Sequence, residues 1–361
     1  MDETTAMRRA LTLAADPTIR PGANPRVGCV LLAADGRLLA EGVHRGAGTA
    51  HAEVDALSRL TPAGREQLHT AVVTLEPCAH QGRTGPCTIA LRDAGVRRVV
   101  YAAPDPFAPA AGGATLLRQW GIEVVEGVAG VSSAEALAVD PCWFAAIRLG
   151  RPHVTWKVAA TLDGRTSAAD GSSRWITSAA ARADVHAHRA AADAVVAGTG
   201  TVLVDDAHLA VRDAAGQALP PPRQPVRVVV GDRAIPPTAR VRDATAPTWL
   251  LPGHDPRATL DTLWDKGIRR VFLEGGPTVA AAFWRAGLVD RVLVYLAPAL
   301  LGAGPAVIAD LGIATIADAA RLEIREVCRV GPDLRVDLHP IDLHPSDPSL
   351  APSLAPSGQE H

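Results

Sequence analysis

With 361 residues the chain is long enough for two domains, each with its own core. It carries 36 basic and 38 acidic side chains, a formal net charge of −2, and no sustained Lys/Arg run, which excludes a nucleic-acid-binding footprint. Five cysteines are an odd, sparse set that excludes a secreted disulfide framework, and no apolar stretch reaches the roughly 18 residues of a membrane span. The opening segment, MDETTAMRRALTLAAD, predicts an amphipathic helix over residues 4–15 rather than a signal peptide, and the chain reads as cytoplasmic. Buried strands are expected at VGCVLLA (27–33), AVVTLE (71–76) and RRVVYAA (97–103), with helices over 51–60, 86–94 and 113–120. A helical stretch over 132–148 leads into Gly150-Arg151-Pro152, a natural linker.

Beyond the linker the α/β alternation restarts. Strand HVTWKVAA precedes a helix over 178–191 and strands ADAVVAG and VRVVVGD, followed by a helix over 256–266, strand RRVFLEG, a helix over 277–287 and strand RVLVYLA. LEIREVCRV and LRVDLHP flank Gly331-Pro332-Asp333 and predict a terminal hairpin. The Pro/Ser-rich repetition over 341–361 has little to bury and predicts a disordered tail. Domains are therefore expected over 1–148 and 149–340.

The chemistry concentrates in His51-Ala52-Glu53, Pro77-Cys78 and Pro86-Cys87. One imidazole and two thiols suit zinc and leave its fourth position for water. His51 opens a helix, Cys78 follows a strand, and Cys87 follows Pro86, a favoured first-turn residue, so a helix start would favour the thiolate. Glu53 is too close in sequence to His51 to be a fourth ligand but is placed to move protons. The pattern is similar to the H-x-E…P-C-x-x-C signature of zinc-dependent base deaminases, except that eight residues separate the cysteines instead of two. Taken alone, the cysteines also allow a structural zinc clip or two buried thiols. Candidate substrate contacts near this motif are Asn24, His44, His80 and Arg83. The last two lie between the metal ligands, and Arg83 suits a phosphate; the bland alternative is a solvent-facing loop.

NPRVGCV (24–30), HAE and PCAHQGRTGPC (77–87) resemble the deaminase half of the bifunctional deaminase/reductases of riboflavin biosynthesis, including the long spacing between cysteines. KVAATLDGRT (157–166), RWITS (174–178), GTGTVLVDD (198–206) and FLEGGP (272–277) resemble the reductase half, in the same order. The resemblance implies a cytidine-deaminase-like α/β/α domain followed by a dihydrofolate-reductase-like α/β domain. It implies zinc-dependent removal of the 2-amino group from a phosphoribosylated diaminopyrimidine, then NADPH-dependent reduction of its ribosyl group to ribityl. Glu53 would take the proton of the zinc-activated water and return it to the pyrimidine. Ala159, Trp175, Thr201, Asp205 and the run Gly276, Pro277, Thr278, Val279, Ala280, Ala281 and Ala282 match cofactor positions, the run holding the dinucleotide phosphates. Ser173, Arg189, Leu209, Arg212 and Glu274 match substrate positions. A homo-oligomer is the implied assembly.

The family's DPNP-like stretch is Asp105-Pro106-Phe107-Ala108 here, and Ala207 replaces the proline expected after Asp205-Asp206. After strand VRVVVG, Asp232 would favour a ribose 2′-hydroxyl and adjacent Arg233 a 2′-phosphate, and NADPH stays the expectation that the resemblance implies. The rival functions are a deaminase whose second domain only binds ligand, and a zinc-stabilised scaffold without activity. Glu53 argues against the scaffold, because a structural site has no use for a proton carrier beside the metal.

Overall fold

The computed structural model describes residues 1–81 and 85–341; the expectations for Arg83 and for the tail beyond residue 341 lie outside the described residues. The first half contains α1 (Glu3–Ala14), β1 (Gly28–Ala33), β2 (Leu38–Val43), α2 (Ala52–Ser58), α3 (Pro62–Glu66), β3 (Leu68–Val73), α4 (Cys87–Asp93), β4 (Arg98–Tyr101), α5 (Gly113–Gln119), β5 (Glu123–Glu126), α6 (Ser133–Leu137) and α7 (Pro141–Leu149). Its strands form one sheet in the order β2-β1-β3-β4-β5, antiparallel on either side of β1 and parallel from β3 to β5. Every residue of β1 is buried, as its unbroken apolar run requires of a strand covered on both faces. The expected helix over 132–148 is two helices, α6 and α7. Asp140 caps the second with its carboxylate, and Pro141 fits only a first turn, where its missing N–H is not needed.

The second half contains β6 (His153–Thr161), α8 (Ala179–Ala191), β7 (Ala194–Gly198), α9 (Thr199–Asp205), β8 (Val226–Val230), β9 (Thr248–Leu251), α10 (Pro256–Asp265), β10 (Arg270–Leu273), α11 (Pro277–Arg285), β11 (Arg291–Ala297), β12 (Leu322–Val330) and β13 (Asp333–Pro340). Its eight strands run β12-β13-β11-β6-β10-β7-β8-β9. The six from β11 to β9 are parallel, and the β12–β13 hairpin adds antiparallel to β11. Strand β10 lies between β6 and β7, so α8 crosses over it. That leaves the carboxyl ends of β6, β10, β7 and β8 side by side, where open parallel sheets place ligands. Strands β2, β5 and β9 and helices α3 and α9 carry no sequence expectation; β5 and β9 are short sheet edges, and β2 alternates only partly.

The junction is ordered. Gly150, with φ 64°, ends α7 in the left-handed conformation, and β6 starts three residues later. Between them Arg151 forms an ion pair with Asp290 at 2.7 Å. Across the boundary, Arg270 of β10 bonds Asp140 through two nitrogens and reaches the carbonyls of Gly22 and Asn24. Trp143 of α7 donates its indole N–H to Ala23 O at 2.8 Å.

Candidate functional site

Close backbone packing places the zinc motif. Gly42 of β2 lies so near α2 that a Cβ there would sit 2.2 Å from Ala52 O and 2.3 Å from Ala56 N. This contact holds the start of α2, and with it His51 at the N-cap and Glu53 in the first turn. On the other side Gly113 opens α5 against Pro77, where a Cβ would fall 1.8 Å from the Pro77 carbonyl oxygen. The Pro77-Cys78 turn is thereby pressed toward α4, whose first residue is Cys87.

The result is a cluster of three donors. His51 Nδ1 lies 3.2 Å from Cys87 Sγ and 3.6 Å from Cys78 Sγ, and all three ligand atoms fall within 4.8 Å of one another. Cys87 N–H donates to Cys78 Sγ at 3.4 Å. The hydrogen bond from the Cys87 thiol holds the Cys78 thiol well below its ordinary range, although burial opposes it. Glu53 is 3 % exposed, and burial followed by the nearby Cys78 thiolate pushes its carboxyl up to about 7. A buried carboxyl beside two thiols and an imidazole fits a hydrolytic zinc site and has no role in a purely structural one.

His51, Cys78 and Glu53 line a cavity of about 630 Å³ that also receives Asn24, His44 and His80. His44 donates from Nδ1 to Ala50 O at 3.0 Å and accepts from Asn24 Nδ2 at 2.9 Å, an arrangement that fixes a neutral tautomer; burial lowers its pKa in the same sense. Its ring meets that of His51 edge-on at 5.1 Å. Asp105 and Phe107 line the cavity as well, and neither was singled out as a contact from sequence. The departure from the family pattern at that loop was the available signal. Burial raises the Asp105 carboxyl to about 6. Its backbone N–H is held by Glu76, which also accepts from Ala114 N at 2.9 Å.

In the second half, the carboxyl ends of the central strands gather a second constellation. Glu274, just after β10, accepts two guanidinium bonds from Arg189 of α8, the NH2 contact at 2.8 Å, and lies 3.7 Å from Lys157 Nζ of β6. Burial acts to raise the Glu274 carboxyl, but Arg189 and then Lys157 hold it down to about 2. Lys157 was missed from sequence; its place as the fifth residue of β6, between the apolar Trp156 and Val158, was the clue. Arg212 donates its backbone N–H to His186 Nδ1 at 3.3 Å and a side-chain N–H to Gly216 O at 2.7 Å. Leu209 is buried with φ 58°, a conformation uncommon for a non-glycine residue, on the loop that leads to Ala210 O, the further acceptor of Arg189.

The expected cofactor residues divide into two groups. Ser173 donates to Asp205 at 3.3 Å, and Gly276 N–H donates to Thr201 Oγ1 at 3.2 Å, so α9 and the start of α11 are joined. Trp175 is 68 % exposed beside Arg182, and Ala159 lies on β6. Pro277, Thr278 and Val279 form the first turn of α11; Pro277 has no N–H, and those of Thr278 and Val279 have no intrahelical acceptor. Ala280 and Ala281 instead pack fully into the core, and Ala280 N–H is taken by Gly276 O. Asp232 is tied to Gly253 N at 2.7 Å and to His254, whereas Arg233 reaches Thr199 Oγ1 at the start of α9.

Comparison with known proteins agrees with both halves. Residues 1–103 match the cytidine and deoxycytidylate deaminase zinc-binding region, and residues 152–336 match the RibD C-terminal domain. Riboflavin biosynthesis protein RibD of Mycobacterium tuberculosis is 48 % identical over 316 residues, covering 87 % of this chain and 90 % of its own length. RibD of Escherichia coli is 39 % identical over 364 residues, covering 92 % and 98 %. The solved structure of Acinetobacter baumannii RibD has a TM-score of 0.82 at 36 % identity and covers 94 % of this chain and 98 % of its own. A Thermotoga maritima diaminohydroxyphosphoribosylaminopyrimidine deaminase/5-amino-6-(5-phosphoribosylamino)uracil reductase has a TM-score of 0.79 at 30 % identity, with the same coverage.

Proposed function

The chain belongs to the RibD family, the bifunctional deaminase–reductases of riboflavin biosynthesis, and from that premise we propose how its own residues divide the work. Residues 1–148 carry the deaminase and residues 149–340 the reductase. The first step removes an amine from a diaminopyrimidine ribosylamine 5′-phosphate, and the second reduces the ribosyl group of the product to ribityl with NADPH.

His51, Cys78 and Cys87 would hold zinc. The fit is chemical: one imidazole and two thiols, one of them strongly acidified, converge within 4.8 Å. Zinc bound there would lower the pKa of a coordinated water toward neutrality. Glu53, buried beside the three ligands, would accept a proton from that water and return it to the ring nitrogen or the departing amine. His44, Asn24 and His80 would orient the pyrimidine from the surrounding wall, His44 as a neutral group anchored on Ala50 O.

In the second domain, Arg189, Glu274 and Lys157 would position the sugar, with Arg212 and Ser173 as further contacts. The first turn of α11, Thr201, Asp205, Ala159 and Trp175 would receive the dinucleotide. NADPH supplies the hydride, and the protein's part is placement. The preference for NADPH over NADH is supported by Arg233, which faces Thr199 while Asp232 is occupied by Gly253 and His254. Matched assays with the two cofactors test this; a clear preference for NADH would refute it. A cytoplasmic setting is supported by five free cysteines, two of them in the metal cluster, and a homo-oligomer follows from the family resemblance.

The observation that carries the reading is the buried Glu53 beside the His51–Cys78–Cys87 cluster. Ammonia release and NADPH oxidation on the phosphorylated pyrimidine, measured with the zinc content of the same sample, test it. Ammonia release without NADPH oxidation would leave a deaminase with a ligand-binding second domain.

A further inference from the structure

The cavity that contains the zinc cluster is not closed by the deaminase domain alone. Lys266, Gly267, Ile268 and Arg269, from the turn between α10 and β10 of the second domain, form part of its wall. The contact is close: a Cβ on Gly267 would meet Ala23 Cβ at 3.4 Å. Arg20 lines the same region and crosses the boundary, donating to the carbonyls of Arg223 (2.6 Å) and Ala192.

The charges of the two walls differ in sign. Glu53, Glu76 and Asp105 line the cavity beside the zinc ligands, whereas its boundary side is lined by Arg20 of the same domain and by Lys266 and Arg269 of the second. The acid among the boundary residues, Asp193, is already engaged, accepting from the backbone N–H of Arg269 and Arg270 at 2.9 Å and from the Arg270 guanidinium at 3.2 Å. Lys266 has no carboxylate partner among the described residues and lies 5.2 Å from the Trp249 ring. Arg269 keeps a buried Nε without a hydrogen-bond partner among the described residues, while its NH1 is fixed on Trp264 O and Ile268 O. A molecule with an amine-bearing base at one end and an anion at the other matches this polarity.

We propose that the reductase domain completes the deaminase pocket, and that Lys266 with Arg20 and Arg269 forms the subsite for the phosphate of the deamination substrate. The inference rests on the deaminase reading above. Arg20 and Arg269 are mounted on backbone carbonyls and give a fixed positive field; Lys266, the exposed member, is the one whose charge can be changed without disturbing the boundary. The test uses the full chain, wild type and with Lys266→Ala, Lys266→Glu and Lys266→Arg. Ammonia release is followed on the phosphate-bearing substrate and on its phosphate-free counterpart. Lys266→Ala should raise KM for the phosphate-bearing substrate about tenfold, Lys266→Glu more, and Lys266→Arg should restore it, as a charge-assisted contact requires. The ratio of KM values between the two substrates should collapse toward one in the Ala and Glu variants. Equal effects on both substrates, or no effect on either, would overturn the subsite while leaving the deaminase reading intact. A wild-type chain that releases ammonia from neither substrate would overturn both.

Discussion

Arg270 and Asp140 form a two-pronged ion pair across the domain boundary, each side chain less than a tenth exposed. The same guanidinium also contacts Asp193 at 3.2 Å. Removing one member of such a cluster leaves buried charge without compensation, which costs more than the intact pair contributes.

Arg270→Met is therefore expected to destabilise the chain by about 3–5 kcal/mol and to separate the unfolding of the two domains. Scanning calorimetry reads both effects. A loss under about 1 kcal/mol, with one unsplit transition, would show that the pair does not tie the domains together.

Glu53→Gln should retain zinc and lose deamination by about 10²–10⁴-fold, because the amide keeps the shape but cannot accept a proton. Metal analysis and ammonia release on the same preparation separate the two properties. Full activity in this variant would remove Glu53 from the mechanism.

Glu274→Gln leaves the buried cations Arg189 and Lys157 facing a neutral amide. Reduction should fall by at least an order of magnitude and stability by about 3 kcal/mol, while ammonia release continues. NADPH oxidation on the deaminated intermediate is the readout, and normal oxidation would contradict the positioning role.

His188 gives the fold a pH dependence of known sign. It stacks on Phe272 with ring centroids 6.1 Å apart, and burial followed by Arg291 lowers its imidazole from the ordinary 6.5 to about 4. Asp184, at 3.8 Å, and Asp337 oppose this, and Arg335 adds to it. The folded chain thus keeps His188 neutral while the unfolded chain takes up a proton below pH 6.5. Its contribution is complete above that value and is lost as pH falls toward 4. His188→Leu should shrink the loss of stability between pH 7 and pH 5 by about 2 kcal/mol, read from urea midpoints. An unchanged pH dependence would argue against this account.

The zinc cluster was legible in the sequence because few residue types bind that metal and each ligand sits at the edge of a recognisable element. His51 starts α2, Cys78 follows β3, and Cys87 starts α4. The apolar runs of β1 and β7 were legible for a similar reason, since a fully covered strand has almost no polar positions, whereas β3, expected over 71–76, runs Leu68–Val73 because His69 and Thr70 break its apolar run. Asp140 and Arg270 were not, because they lie 130 residues apart and each is one charged side chain among many. Lys266 has the same difficulty: it and His51 line one cavity only because the two sheets pack against each other.

The shared charge cluster restricts how such chains can be recombined. Joining a foreign second half at Gly150 would preserve the α7–β6 junction yet still fail to fold well unless the incoming half carried a cation equivalent to Arg270. Without it, the aspartate that caps α7 would face the new partner as a buried, uncompensated charge. A viable chimera must therefore be chosen by its interface residues rather than by the place where the two halves are spliced.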